Sequence, residues 1–117
     1  MRNSILFPLL FFSVLIAQPS FTATSITTSA NGARDVYTVD LDSDGDIDVV
    51  SGSSLDNTIA WYENNGSQSF TKITISTGAT AVISVFAIDL DLDGDMDVLS
   101  ASQNDDKIAW YENDGAS

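Results

Sequence analysis

Two short loops of alternating aspartates carry the side chains of this sequence that are best suited to chemistry. Each loop has the pattern Asp-x-Asp-x-Asp-Gly-Asp-x-Asp, with the glycine at the point where the chain must turn sharply. So many carboxylates within a few ångströms would repel one another unless a cation lay between them. We therefore predict two metal sites, formed by Asp40, Asp42, Asp44, Asp46 and Asp48 and by Asp89, Asp91, Asp93, Asp95 and Asp97.

The ligand chemistry of the loops favours calcium, with about one ion per loop. Calcium is a hard cation that takes roughly 6–8 oxygen ligands in a flexible shell. Asp46 and Asp95 would contribute their backbone carbonyls, and water would complete the set. Magnesium prefers a stricter octahedron with fewer protein ligands, and zinc prefers His or Cys, of which the chain has none. The simpler alternative is a solvated acidic turn without a metal.

The EF-hand, a calcium loop between two helices, is excluded by two features of the sequence. That loop needs a bidentate glutamate at its twelfth position and a helix on each side. The twelfth position is Ser51 in the first loop and Ser100 in the second, and β-branched runs flank both loops. The acidic loops are therefore expected to join strands.

The two loops belong to two copies of one repeated unit. Ile59–Asn64 recurs 49 positions later as Ile108–Asn113, and the loops keep the same offset without a gap. Residues 20–68 and 69–117 therefore form two repeats with 25 identical positions of 49. A fixed period of this length indicates a structural unit that packs against its neighbours.

Each repeat has the pattern of four short strands and no helical period. Runs rich in β-branched and aromatic residues predict strands at Val36–Val39, Asp48–Ser51, Ile59–Glu63, Phe70–Ile75, Val85–Ile88 and Asp97–Ser100. Ser20–Thr28 is the counterpart of the Phe70 strand, and Asn64-Asn65-Gly66 is a hairpin signal. Four short antiparallel strands are the content of one β-propeller blade. The predicted fold class is all-β, with two tandem four-stranded blade-like repeats that form a partial propeller.

Residues 1–19 are predicted to be a secretory signal peptide that precedes the repeats. Arg2 supplies a positive charge, and Ile5–Ala17 is apolar apart from Pro8 and Ser13. This run is shorter than the ~20 residues that span a bilayer, so an N-terminal membrane anchor is the weaker alternative. Cleavage is expected between residues 17 and 23, because Ala17 and Ala23 both suit the last position. The mature protein would then be secreted or extracellular.

The composition restricts the partners of the chain. Its 117 residues include 17 acidic and 4 basic side chains, which gives a formal net charge of −13. This balance argues against nucleic acid and against anionic membrane surfaces. The chain has no cysteine, so an exported domain of this size would need a metal or oligomerisation in place of disulfides.

The sequence predicts no catalytic site, and we expect the chain not to be an enzyme. Without His or Cys there is no nucleophile–base pair of the usual kinds. A glycosidase needs two carboxylates across a cleft, and carboxylates bound to a cation cannot donate protons. Trp61, Tyr62, Trp110 and Tyr111 could stack on sugars. Their repeated positions favour packing instead, with both tryptophans in the space between blades and both tyrosines at its edge.

The segments Val36–Val50 and Val85–Leu99 resemble the FG-GAP or VCBS-type repeat of integrin α-subunit propellers and of many exported microbial proteins. The Ile-Ala-Trp-Tyr-Glu-Asn element is typical of the same repeat. The resemblance implies a calcium ion in a loop that joins two strands of a blade. It also implies a role in adhesion, ligand binding or cell-surface assembly. The resemblance also implies a propeller of about seven blades, whereas this chain carries two repeats.

These observations predict a secreted or cell-surface calcium-binding module for adhesion or ligand binding, with a protein or glycan ligand as its partner. The alternatives are an N-terminal accessory fragment of a larger secreted enzyme and a small lectin-like oligomeric propeller. Because three or more repeats are normally needed for stability, the chain is expected either to belong to a longer array or to form a homo-oligomer that pools its blades.

Overall fold

The computed structural model describes residues 2–116 and consists of seven strands. Met1 and Ser117, at the outer ends of the predicted signal peptide and of the second repeat, lie outside these residues. The strands are β1 (Ala33–Val39), β2 (Asp48–Ser53), β3 (Thr58–Asn64), β4 (Phe70–Ser76), β5 (Val82–Ile88), β6 (Asp97–Ser102) and β7 (Lys107–Tyr111). No helix occurs between residues 2 and 116, and the prediction of an all-β chain is confirmed.

The strands form two antiparallel sheets. The first has the order β1-β2-β3-β4 and the second the order β5-β6-β7. The register of the second sheet repeats that of the first: Val50 faces Tyr37 and Trp61, and 49 positions later Leu99 faces Phe86 and Trp110. All six runs predicted as strands from their β-branched and aromatic content lie within strands of the structure.

The predicted fourth-strand counterpart, Ser20–Thr28, is not a strand, so seven strands form instead of eight. These residues are irregular and largely exposed. Their counterpart β4 pairs along β3, whereas residues 20–28 have no adjacent strand edge to pair with in the described structure. An isolated extended segment cannot satisfy its backbone groups by pairing.

The apolar run that precedes the repeats also lacks regular structure. Residues 2–25 form neither helix nor strand, and their side chains are exposed. Among the described residues there is no helix with the length and apolarity needed to cross a membrane.

The hydrophobic core lies between the two sheets. Val50 and Ile59 from the first sheet pack with Val82, Val85 and Val98 from the second, and all five are buried. Side chains alternate between the two faces of each strand, and the register shift between Val82 and Ser84 allows both Val82 and Val85 to face the first sheet. We call this contact the inner junction.

Two further contacts hold the sheets together at the inner junction. The Asp35 carboxylate accepts hydrogen bonds from the Ser84 hydroxyl and from the Val85 backbone N–H, both at 2.9 Å. Gly52 lies so close to the second sheet that a Cβ placed on it would be 2.5 Å from a γ-carbon of Val82. The two sheets are therefore held at a short separation that the residue at position 52 helps to set.

Candidate metal centre

Each acidic loop joins the first strand of a sheet to the second. The first loop leaves β1 after Val39 and enters β2 at Asp48, and the second connects β5 to β6 in the same way. Gly45 and Gly94 have positive φ angles of 97° and 104°. Side chains other than glycine rarely adopt such angles, so the central glycines permit the sharp turn that brings the aspartates back towards one another.

Backbone N–H groups fix the carboxylates of the first loop. The two oxygens of Asp40 accept hydrogen bonds from Asp44 N at 3.1 Å and from Gly45 N at 2.9 Å. Asp42 Oδ1 also accepts from Asp44 N, at 3.3 Å. These bonds order the loop and leave further lone pairs on each carboxylate free for a cation.

Asp48 anchors the loop at its far end and is fully buried. Its Oδ2 accepts a hydrogen bond from Leu41 N at 3.0 Å, and its Oδ1 accepts one from Asn64 N at 2.7 Å. A buried carboxylate is costly unless such donors or a cation compensate for the lost water. This residue therefore ties the beginning of the loop to the end of β3.

The second loop reproduces this arrangement bond for bond. Asp93 N and Gly94 N donate to Asp89 at 3.1 and 3.0 Å. Leu90 N and Asn113 N donate to the buried Asp97 at 3.1 and 2.8 Å. The two loops differ at two of nine side chains, Ser43/Leu92 and Ile47/Met96, and still share these bonds. The aspartate and glycine pattern itself therefore determines the loop geometry.

The structure brings together three of the five aspartates predicted as ligands in each loop. Carboxylate oxygens of each trio lie within 4.8 Å of one another, and the trios are Asp40, Asp42, Asp48 and Asp89, Asp91, Asp97. Such a cluster of oxygen atoms fits the preference of calcium for carboxylate ligands.

The other predicted ligands lie outside these trios. Asp44 and Asp93 each accept a hydrogen bond from the backbone N–H two residues ahead, at 2.8 and 2.9 Å. The Asp46 carboxylate lies against Gly66, where an added Cβ would approach it to 2.5 Å. Asp95 lies against Gly115 in the same manner. The prediction that Asp46 and Asp95 contribute backbone carbonyls remains a prediction.

Loss of solvent and mutual repulsion raise the pKa of one aspartate in each loop. Desolvation raises the pKa of Asp42 above its ordinary value, and the charges of Asp44, Asp48 and Asp40 raise it further. Asp91 has a raised pKa for the same reasons in the second loop. Desolvation would also raise the pKa of Asp97, but hydrogen bonds from the N–H groups of Asn113 and Leu90 make the net shift downward.

Basic side chains do not neutralise this charge in the part of the chain that the structure describes. The one ion pair found there joins Lys107 Nζ to Asp105 at 3.2 Å, outside both loops. The carboxylate trios therefore have backbone donors but no cationic partner, and their donor chemistry fits a hard divalent ion. Bound there, such an ion would neutralise the loops and hold the first and second strands of each sheet together.

The family of the chain follows from its sequence and agrees with this geometry. The family model of the FG-GAP-like repeat matches residues 40–100, which is more than half of the chain and includes both acidic loops. The chain belongs to the FG-GAP-like repeat family. No curated protein and no solved structure matches it. The resemblance inferred from the loop and strand motifs is confirmed, and the family favours a β-propeller-type repeat module.

Two asparagines support the FG-GAP-like loops and were not predicted to do so. Asn64 Nδ2 donates to the Ile47 carbonyl at 3.0 Å, and Asn113 Nδ2 donates to the Met96 carbonyl at 3.2 Å. Their backbone N–H groups bind Asp48 and Asp97 as described above. The available signal was their recurrence at an offset of 49, but the sequence does not show that the end of the third strand lies beside the loop.

A cleft of about 450 Å³ opens between the two sheets next to the loops. Trp61 and Tyr111 contribute aromatic surface, and Glu63, Asp95 and Glu112 contribute carboxylates. Trp61 packs against the core between the sheets, as predicted, whereas its counterpart Trp110 is 44% exposed and is not part of that packing. Tyr62 is buried, which differs from the expectation that both tyrosines lie at an edge.

Proposed function

We propose that this FG-GAP-like chain is an exported calcium-binding module, in which calcium stabilises the two acidic loops and the sheets serve adhesion or ligand binding. The observation that carries the proposal is the convergence of three carboxylates within 4.8 Å in both loops. The uncompensated negative charge of each trio supports it, because folding would place these groups together at a cost unless a cation were bound.

Thermal unfolding of the full chain with millimolar calcium and with a chelator tests the proposal. At a hundredfold excess over the dissociation constant, each site adds ~2.7 kcal/mol to the stability of the folded state. For a domain of about 100 residues this corresponds to a rise in Tm of roughly 10–20 °C per site. Equal melting in the two conditions would contradict calcium binding.

A single-charge substitution locates the sites. Asp91→Asn should lower the calcium stoichiometry in isothermal titration calorimetry from two ions to one. Asp106→Asn is the matched control, because it removes one acidic charge outside the loops and its repeat counterpart is already Asn57. If both variants lose calcium to the same extent, net charge and not loop geometry determines binding.

We assign the repeats to residues 20–68 and 69–117, as two tandem propeller blades, and residues 1–19 to a signal peptide. The paired sheets, which share one register, support the first assignment. The exposed apolar run supports the second. Expression with export and N-terminal sequencing of the product tests the second assignment: a new N-terminus between residues 18 and 24 is expected. An intact N-terminus in the membrane fraction would favour an anchor instead.

The cleft between the sheets is the place where we propose that a protein or glycan ligand binds. It combines the aromatic surfaces of Trp61 and Tyr111 with the carboxylates of Glu63 and Glu112. Aromatic faces and hydrogen-bonding carboxylates are suited to sugar rings and to basic peptide side chains. Binding of the chain to a glycan array, with Glu112→Gln as the variant, tests the glycan alternative: specific binding that the variant loses would support it.

A non-catalytic role fits the composition of the chain. It has no His and no Cys, and the aspartates of the loops accept hydrogen bonds from the backbone of the loops themselves. The calcium would therefore supply structural stabilisation and not activate a reacting group. Assays for glycoside hydrolysis with and without calcium should show no turnover, and turnover that survives purification would contradict a non-catalytic role.

A further inference from the structure

The outer face of the second sheet carries the counterparts of residues that the first sheet buries. At the inner junction, Gly52 and Ile59 pack towards the second sheet. Their counterparts Ala101 and Ile108 lie, with Leu99, on the opposite side of the molecule and line a shallow groove. Ile59 is 0% exposed and Ile108 is 78% exposed. The second sheet thus repeats a packing face that has no partner in the described structure.

The outer face of the first sheet shows the converse. Val82 and Val85 form the side of the inner junction that belongs to the second sheet, and their counterparts are Ala33 and Val36. Val85 is 4% exposed, whereas Val36 is 63% exposed. The two outer faces are therefore the two halves of the inner junction, carried on opposite sides of one chain.

One pair of substitutions keeps the side-chain volume of the two outer faces close to that of the inner junction. At the inner junction a glycine, Gly52, faces a valine, Val82. If the outer face of the second sheet packed on the outer face of a first sheet, Ala101 would face Ala33 at the same position. The carbon added on one side is then offset by the carbons removed from the other, as close packing requires.

The first sheet has a fourth strand that the second sheet lacks within the described residues. β4 pairs with β3, and Ala60 faces Thr74. The counterpart of β4 is Phe21–Thr27, which retains Phe21, Thr22 and Ile26 of the β4 sequence. Transfer of the β3–β4 register by 49 positions places Ser25 opposite Ala109, on the edge of β7.

The direction of the chain keeps the Phe21–Thr27 segment away from the β7 of its own molecule. Gly32 and Ala81, just before β1 and β5, have similar positive φ angles of 68° and 56°. Their carbonyls accept equivalent hydrogen bonds, from Ser54 N at 2.9 Å and from Gln103 N at 3.1 Å. The chain thus enters both sheets in the same way, which directs the segment before Gly32 towards the outer face of the first sheet and away from its own β7.

We propose that the chain associates head-to-tail with a second copy of itself. The outer face of the second sheet packs on the outer face of the partner's first sheet, and the partner's Phe21–Thr27 segment adds to β7 as a fourth strand. Strand addition of this kind satisfies the free backbone groups of an edge. Because the two surfaces differ, the contact repeats from copy to copy and gives either a closed ring or an extended stack.

Disulfide cross-linking between two variants of the full chain tests the proposal, because the chain has no cysteine of its own. Ser25→Cys in one preparation and Ala109→Cys in the other are mixed and oxidised. Facing residues of adjacent strands have Cα atoms about 4.5–5.5 Å apart, which allows a disulfide. Ser25 lies beyond both expected cleavage points of the leader, and the proposal requires cleavage before Phe21, as at Ala17, so that the whole Phe21–Thr27 segment stays in the mature chain.

The matched control replaces Ser25→Cys with Thr24→Cys, whose side chain would point to the other face of the strand. The facing pair should give roughly tenfold more disulfide-linked dimer than the control pair, since the control geometry falls outside the disulfide range. Equal yields from the two pairs, or no dimer from either, would overturn the proposal. A third preparation carries Ser25→Cys and Ala109→Cys in the same chain. A disulfide that forms within this double variant, and not between chains, would also overturn the proposal.

A substitution on the outer face of the first sheet distinguishes a loss of the proposed contact from a loss of folding. Val36→Asp alters a residue that is exposed in the single chain, so its melting temperature at low protein concentration should be close to that of the parent. Its cross-linking yield should fall severalfold, because a charge would be buried against the partner. An unchanged yield in this variant would overturn the proposed face.

Discussion

Gly52→Ala tests whether the separation of the two sheets depends on the absence of a side chain at position 52. The added Cβ would lie 2.5 Å from a γ-carbon of Val82, where the optimum carbon–carbon separation is about 3.5–4.0 Å. Val82 is β-branched and fully buried, so it cannot rotate away easily. Overpacking of this kind costs about 1–3 kcal/mol.

Two effects of the same substitution have opposite signs. Gly52 is not among the residues with positive φ, so alanine fits its backbone and restricts the unfolded chain, which stabilises by about 0.4–1 kcal/mol. The net loss of unfolding free energy should then be about 1–2 kcal/mol. For a domain of this size the corresponding fall in Tm is roughly 4–16 °C, measurable by tryptophan fluorescence with calcium held constant.

The double variant Gly52→Ala with Val82→Ala provides the internal control. Val82→Ala alone should also destabilise, because it leaves a cavity. Together the two changes should cost about 1 kcal/mol less than the sum of the single effects, because the new Cβ fills part of the cavity and no longer meets a branched side chain. A neutral Gly52→Ala, or strict additivity in the double variant, would refute this account of the inner junction.

Three further predictions concern the loops and the junction. Asn64→Ala removes the side-chain hydrogen bond to the Ile47 carbonyl. It should weaken calcium binding at one of the two sites by about tenfold, as measured by calorimetry. Equal calcium affinities in the variant and the parent would show that the side chain is dispensable. The hydrogen bond from Val85 N lowers the pKa of Asp35, so this carboxylate stabilises the fold above its unfolded pKa and loses that contribution as the pH falls through the folded pKa. With chelator present, the Tm of Asp35→Asn should therefore fall less between pH 7 and pH 3 than the Tm of the parent. Parallel profiles of Tm against pH would contradict the prediction. Leu92 has a φ of 66°, an angle that asparagine tolerates better than leucine does. Leu92→Asn should therefore raise the free energy of unfolding by about 1 kcal/mol and leave the calcium stoichiometry unchanged. A lower Tm would indicate that a contact of Leu92 stabilises the fold by more than its backbone strain costs.

The strands of this protein were predictable where local pattern and tertiary environment agree. The runs around Val36–Val39 and Ile59–Glu63 have apolar or aromatic residues at strand spacing, and both lie within observed strands. β1 begins earlier than predicted, at Ala33, because Ala33 and Asp35 pair with Ser53 and Gly52 at the end of β2. Nothing local to residues 33–35 indicates that contact.

Residues 20–28 show the opposite case, in which sequence similarity alone gave the wrong structure. Ser20–Thr28 aligns with β4, yet β4 is a strand because β3 provides its hydrogen-bonding edge. A strand is a property of a pair, so the same sequence without an adjacent edge stays irregular.

The acidic loops were predictable as a composition but only partly as a geometry. The sequence identifies all ten aspartates, whereas the structure separates the trio around Asp48 from Asp44 and Asp46. That division depends on which backbone N–H groups and which turn lie beside each carboxylate. The role of Asn64 depends on the pairing of β2 with β3, which places the end of one strand beside the beginning of the other.

Both acidic loops lie at the same end of the paired sheets, since Leu41 and Asp42 border one cleft together with Asp95 and Met96. Ten of the 17 acidic side chains are in these two loops, so the molecule carries a large electric dipole along its strands. At low ionic strength a cationic surface would attract this end first, and the approach would orient the protein before any contact formed. Salt at about 0.15 M limits that influence to ~8 Å, and occupancy of the loops by calcium would reduce the dipole itself.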